Sequence, residues 1–282
     1  MVIDMHVRPA LFSLICADKE RFERRCNEMN FHLMSPTAPD LLRAQYKLAD
    51  LDHVVLLGED TSADSGFTAI GNEEIKRIVD AEDDDFYIGF AAVDPRYEDA
   101  AERLEDAFER LSLRGLYINC AKLRIFPSDA RLEPLYRVCA HLRKPVIFQA
   151  GLSLEAHAVS HYCKPINFEE VALAHPTVKM CLSHLGWPWV EETAALLIKL
   201  PNLYADTALM CMGSPAEFFE KIFRQDFGRW WLDHDLANKI MFGSDSPRVR
   251  PVRSKRGLDV LDMDARTRRK LYGENAAAFL GL

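Results

Sequence analysis

Short runs of apolar, β-branched and aromatic residues recur along the chain at residues 2–6, 52–57, 86–93, 115–119, 145–149, 178–184, 202–206 and 239–243. Between them the apolar positions return every three or four residues. In "EDAAERLEDAFERL", Ala101, Leu104, Phe108 and Leu111 fall on one face with charges opposite, as in a helix that packs one side on a sheet. Leu132, Leu135 and Val138 repeat the pattern ahead of Lys144-Pro145, where proline turns the chain out of the helix and into the next run. "VEETAALLIKL" ends at Pro201, and "RTRRKLYGENAAAFLGL" reads as one or two closing helices. Eight strand-like runs alternating with helical segments predict an α/β chain folded as a (β/α)8 TIM barrel, one domain spanning residues 1–282.

A barrel of this kind places its chemistry where the strands end and the following loops begin. The polar residues at those ends are His6 and Arg8, Asn119 and Lys122, Gln149, His184, Asp206 and Asp245. The stretch from Ala208 to Asn238, with Phe218, Phe219, Phe223, Trp230 and Trp231, is expected to cover the barrel or to form a subunit contact, and a homo-oligomer is the expected assembly.

Composition narrows the functional classes. The net charge of −8 gives no broad basic surface, which argues against a nucleic-acid partner and makes any anion site local. The seven cysteines are odd in number and show no C-x-x-C pair, so reduced thiols are expected rather than a disulfide framework or a structural zinc module. Neither a charged-then-apolar leader nor an apolar run of about 18 residues is present, so a cytoplasmic chain without a membrane partner is the expectation. The expected partner is a small-molecule substrate.

"VIDMHV", "VDPR", "PVIFQAG", "MCLSHLGWPWVEE", "NLYADTA", "IMFGSDSPR" and "YGENAAAFLGL" follow one another across nearly the whole chain. In that order they resemble the amidohydrolase-related group of the amidohydrolase superfamily, which includes metal-dependent hydrolases and non-oxidative aromatic decarboxylases. The resemblance implies a first strand ending in D-x-H-x-H, histidines at the fifth and sixth strands and an aspartate at the eighth. His6, His184 and Asp245 match that pattern. Arg8 stands where the second histidine is usual, and Gln149 where the fifth-strand histidine is usual.

A catalytic zinc wants about three His, Cys or carboxylate ligands with one position open. Here His6 and Asp245 remain as metal ligands, Gln149 offers only an amide oxygen, and an arginine about 4 Å from a divalent ion would cost roughly 8 kcal/mol at an effective dielectric of about 20. Two outcomes stand side by side: zinc or another divalent metal held weakly, or none. With a metal, Arg8 would point away or be neutralised by Asp245 or Asp4; in the metal-free case it supplies the positive charge, binding a substrate carboxylate or a developing oxyanion. His184 and Asp245 then handle protons as the catalytic pair. The superfamily's lactonases include members that turn over without metal.

Gln149, Lys122, Trp187 and Arg248 complete the expected substrate site, with Arg124 and Arg250 extending its basic rim and Trp187 or Trp189 offering a ring to a planar substrate. "EAHAVSHYC" carries His157, His161 and Cys163 at metal-like spacing, but reads better as a loop with incidental histidines because no fourth ligand is near in sequence. Three functions remain: a hydrolase of a small carboxylated amide, ester or lactone, a decarboxylase of a small aromatic acid, and a non-catalytic small-molecule-binding barrel.

Overall fold

The computed structural model describes residues 1–31, 34–82, 84–208 and 213–282. Eight parallel strands lie side by side in chain order: β1 (Ile3–Val7), β2 (His53–Leu57), β3 (Tyr87–Ala91), β4 (Gly115–Ile118), β5 (Val146–Phe148), β6 (Met180–Leu182), β7 (Leu203–Asp206) and β8 (Ile240–Met241). Seven fall inside the run of apolar residues that marks them in the sequence, and β1 runs one residue past its own, to Val7. Met5 N–H donates to Phe242 O (2.9 Å), and Val7 bridges Ser246, so β1 meets β8 and the sheet closes into a barrel. Asp4 reinforces that seam, its Oδ1 accepting from the backbone N–H groups of His6 (3.1 Å) and Ser244 (2.9 Å).

Regular alternation along β1 would send neighbouring residues to opposite faces. Ile3 and Met5 nonetheless join the apolar barrel interior with Val55, Phe90, Ile147 and Met241, while the next residue, His6, meets Tyr117 and Asp206 on that same inner side. The register of β1 against β2 slips between Asp4 and Val7, and this bulge explains the change of parity. An apolar layer therefore gives way to a polar layer within one residue of β1. The opposite end of the interior is filled by the helix Asn275–Leu280, which contributes Ala276, Phe279 and Leu280.

The helices follow from their apolar stripes. Helix Ala100–Glu109 buries Leu104 and Phe108, and Glu133–His141 buries Leu135 and Val138. A two-stranded antiparallel ribbon, Glu59–Asp60 with Thr68–Ile70, extends from the end of β2 and has no counterpart in the sequence pattern. In the aromatic stretch expected to cover the barrel, residues 209–212 lie outside the described residues, Cys211 among them. The remainder forms Pro215–Glu220, a π-helical continuation Lys221–Asp226 and Arg229–Asp233, and its Pro215 packs closely on Gly257 of the helix after β8. Among the described residues the other six cysteines are free thiols, and no helix is long and apolar enough to cross a membrane.

Gly151, two residues past the strand-end Gln149, has a φ of +76°, and a Cβ there would lie 2.1 Å from Trp187 O. The loops after β5 and β6 thus meet backbone to backbone, also through Leu152 N–H to Trp187 O (2.7 Å). Gly151→Ala combines a left-handed conformation with a backbone clash, so it should lower stability by more than about 2 kcal/mol, measured by urea denaturation.

Candidate active site

One carboxylate organises the histidines. Asp206, at the end of β7 and fully buried, takes the His6 Nδ1 contact at Oδ2 (3.2 Å) and the backbone N–H groups of His184 (2.9 Å) and Ala208 (3.0 Å) at Oδ1. Gly243 permits this convergence, since a Cβ there would sit 3.2 Å from His6 Cβ and 3.3 Å from Asp206 Cβ. Burial would raise the Asp206 carboxyl, but the His6 ring and the hydrogen bonds from both histidines outweigh it and hold the pKa below the usual carboxylate value.

A carboxylate can only accept, so the His6 ring carries a proton on Nδ1 and donates it to Asp206. Nε2 is buried without a hydrogen-bond partner, 3.8 Å from Asp245 Oδ1. The His184 ring leans against His6 with ring centroids 4.8 Å apart. Its Nδ1 faces Ala208 O (3.1 Å) and its Nε2 the Gln149 side-chain amide (3.1 Å). Burial, followed by the neighbouring His6, pushes the His184 pKa down to about 4, so the ring is neutral at pH 7. With Nδ1–H donated to a carbonyl, Nε2 carries the lone pair; the atom facing it is Gln149 Oε1, so this tautomer requires the Gln149 amide to flip and present its NH2. His184 and Asp245 both adopt left-handed backbone, at φ 59° and 64°. The strain of roughly 1–2 kcal/mol each is held by the bond from His184 N–H to Asp206 and that from Asp245 N–H to His6 O (3.1 Å).

Arg8 is placed differently from the expectation that Asp4 or Asp245 neutralises it. Asp4 is committed to the β1–β8 seam and Asp245 pairs with Arg248 (3.0 Å). Arg8 lies instead between two other carboxylates: Nη2 pairs with Glu59, on the ribbon after β2, and Nη1 with Glu155 (3.0 Å), on the loop after β5. Nη1 also donates to Tyr117 Oη (2.8 Å), whose hydroxyl reaches Gln149 (3.3 Å). Asn119 Nδ2 bridges the two glutamates, at 3.3 Å from Glu59 and 2.9 Å from Glu155. Burial tends to raise both carboxyls. Arg8 and Lys122 outweigh it for Glu59, which stays below its usual pKa, whereas burial and the charge of Glu59 push Glu155 up to about 7.

The other expected site residues divide. Arg248 lines the cleft, stacks on Phe31 (4.8 Å to the ring centroid) and donates to Met29 O (3.1 Å). Lys122 is drawn into a pair with Glu28 (2.5 Å), and Trp187 rests near Phe218 with ring centroids 6.1 Å apart, neither lining the cleft. His157 is exposed, His161 packs on Phe126 and Cys163 is buried. Among the described residues no group of three His, Cys, Asp or Glu side chains is placed to hold a metal ion. His6 and Asp245 supply two donors where three are wanted, and a guanidinium occupies a ligand position, so the residues present do not fit a tightly bound divalent metal.

The fold and this cluster of imidazoles and carboxylates at the strand ends define a barrel of the amidohydrolase type. The chain belongs to the amidohydrolase family, whose sequence profile matches residues 3–282. Among solved structures it is similar to an uncharacterized TIM-barrel protein of Bordetella bronchiseptica, 21% identical over 99% of this chain and 98% of the other, with a TM-score of 0.76. It is also similar to the 5-carboxyvanillate decarboxylase of Sphingomonas paucimobilis, 15% identical over 100% and 99% of the two chains with a TM-score of 0.67. The 5-carboxyvanillate decarboxylase of Novosphingobium aromaticivorans, solved with manganese and a nitrobenzoic acid, is 13% identical over 99% and 95% with a TM-score of 0.66. No curated protein sequence matches the chain.

Arg8, Glu59 and Glu155 have side chains only 3%, 2% and 8% exposed, so removing the cation strands two buried carboxyls. Arg8→Met should lower stability by about 3–5 kcal/mol. Chemical denaturation at pH 7 checks this, and a loss under about 1 kcal/mol would contradict the buried triad.

Proposed function

We propose that the chain is a hydrolase of a small carboxylated substrate, cleaving an ester, lactone or amide by acid–base chemistry without a tightly bound metal. The observation that carries this reading is the pair of acceptors at the barrel mouth. His6 Nε2 and Asp245 Oδ1 face one another at 3.8 Å, close enough for one of them to accept one O–H of an attacking water whose other O–H points to His184. Neutral His184 takes the water's proton at Nε2 as its oxygen bonds to the substrate carbonyl, and passes that proton to the leaving oxygen or nitrogen. For this, Gln149 must release Nε2 and turn toward the substrate. A ring with a pKa near 4 is a modest base but, once protonated, a strong acid toward a poor leaving group.

Arg248, beside Asp245 and lining the cleft, is the cation placed to meet a carboxylated substrate. The zinc or manganese of metal-dependent relatives has no assigned step in this scheme. A second reading, decarboxylation of a small aromatic acid, is favoured by the names of the similar structures, and carbon dioxide release from hydroxybenzoates distinguishes it.

The test is a screen of small carboxylated lactones, esters and amides, with metal content measured on the same sample. His184→Gln and Asp245→Asn should each lower kcat/KM by roughly 100-fold or more while a chelator leaves the wild-type rate unchanged; full activity in both variants would move the site elsewhere. The pH profile gives a second check. Because the His184 pKa is lowered, the neutral form persists until the pH falls through about 4, so the acid limb of kcat should appear only near 4. An acid limb centred at the usual histidine value of about 6.5 would contradict a buried, neutral His184.

A further inference from the structure

The cleft bordered by Arg8, Gln149, His184, Asp245 and Arg248 encloses only about 10 Å³, the room of a single water. A carboxylated organic molecule enters only if part of the wall moves. Three wall residues, Ser153, Leu154 and Glu155, lie on one loop after β5. No helix or strand forms between Phe148 and Ser160, and no residue from 152 to 160 is fully buried, so little apolar contact is lost when that loop shifts. Its innermost side chain is Glu155, which places a carboxylate against Arg8 Nη1 at 3.0 Å and Asn119 Nδ2 at 2.9 Å.

We propose that Glu155 is an internal stand-in for a ligand: the corner formed by Arg8 and Asn119 is a carboxylate subsite that receives a small organic carboxylate when the loop withdraws Glu155. The inference rests on the hydrolase reading for the identity of the substrate, but the subsite itself is a matter of binding. Glu59 holds Arg8 in place from the other side, so the guanidinium stays positioned when Glu155 leaves. Of the two glutamates Glu155 is the more weakly charged, since burial and the neighbouring Glu59 bring its pKa to about 7. Arg8 thus keeps one permanent counter-ion and one exchangeable one. An incoming carboxylate restores the same ion pair and the same hydrogen bond from Asn119, so the exchange leaves no buried charge unpaired.

Benzoate and its neutral isostere benzamide are the probes, titrated calorimetrically into wild type and Glu155→Gln at pH 7.5. A neutral amide competes for Arg8 less well than a carboxylate, so Glu155→Gln should bind benzoate about tenfold tighter or more while benzamide binding stays unchanged. Asn119→Ala in the Glu155→Gln background should undo most of the gain. Glu155→Ala, with folding checked by its melting curve, is read by the same criterion if the glutamine variant is poorly folded. An unchanged benzoate Kd, or equal tightening for benzamide, overturns the subsite. Tightening for benzoate in a protein that hydrolyses nothing in the screen keeps the subsite and removes the hydrolase reading.

Discussion

A guanidinium buried at the mouth of a barrel has to be surrounded by anions, and much of the site's architecture follows from how Arg8 meets that demand. Burial disfavours its charge, yet Tyr117, Glu155 and Glu59 more than compensate and its pKa lies above the usual arginine value. The counter-charges come from the ribbon after β2 and the loop after β5, so the ion triad ties three parts of the rim together. Through Tyr117 and Gln149 the same network reaches His184. A resident metal would hold such a centre by coordination. The guanidinium of Arg8 does so by planar, directional ion pairs to Glu59 and Glu155.

The second organising centre is Asp206. It fixes the ring of His6, receives the backbone of His184 and thereby couples β1, β6 and β7 at one point. His6 belongs to both closure and chemistry: its backbone N–H binds Asp4 and its carbonyl takes Asp245 N–H across the β1–β8 seam, while its ring faces the cleft side of Asp245. Any shift of that seam would move the Asp245 carboxylate relative to the His6 imidazole, which links barrel closure directly to site geometry.

The barrel was legible because each strand is a short apolar run bounded by helical periodicity, and seven of the eight strands lie within runs identified from the sequence, β1 passing its own by one residue. His6, Gln149, His184, Asp206 and Asp245 were legible as polar residues at strand ends. Glu59 stands two residues past β2 and the same rule reaches it, but "LLGED" reads as an ordinary polar turn. Tyr117 sits inside a strand that is otherwise apolar, so nothing in its spacing separates it from core aromatics. Glu155 has no local signal at all, because its loop lacks periodicity and its role depends on an arginine 147 positions earlier in the chain. The partners of Arg8 are a property of closure, which brings together the ends of β1, β2, β4 and β5, and no local pattern encodes that meeting. The expected basic character of Lys122 fails for a related reason, since Glu28 reaches it from a helix far away in sequence.

The interior of the barrel is completed by residues far apart along the chain. Ile3 and Met5 pack in the same cluster as Met241, Phe279 and Leu280, and β1 finds its last neighbour only in β8. During synthesis the first strand therefore waits for more than two hundred residues before its open edge is covered. Until then the chain presents an unpaired strand edge and an apolar lumen, a state of the kind that invites association between nascent copies. The contacts that make the finished barrel compact are thus among the last that synthesis makes available.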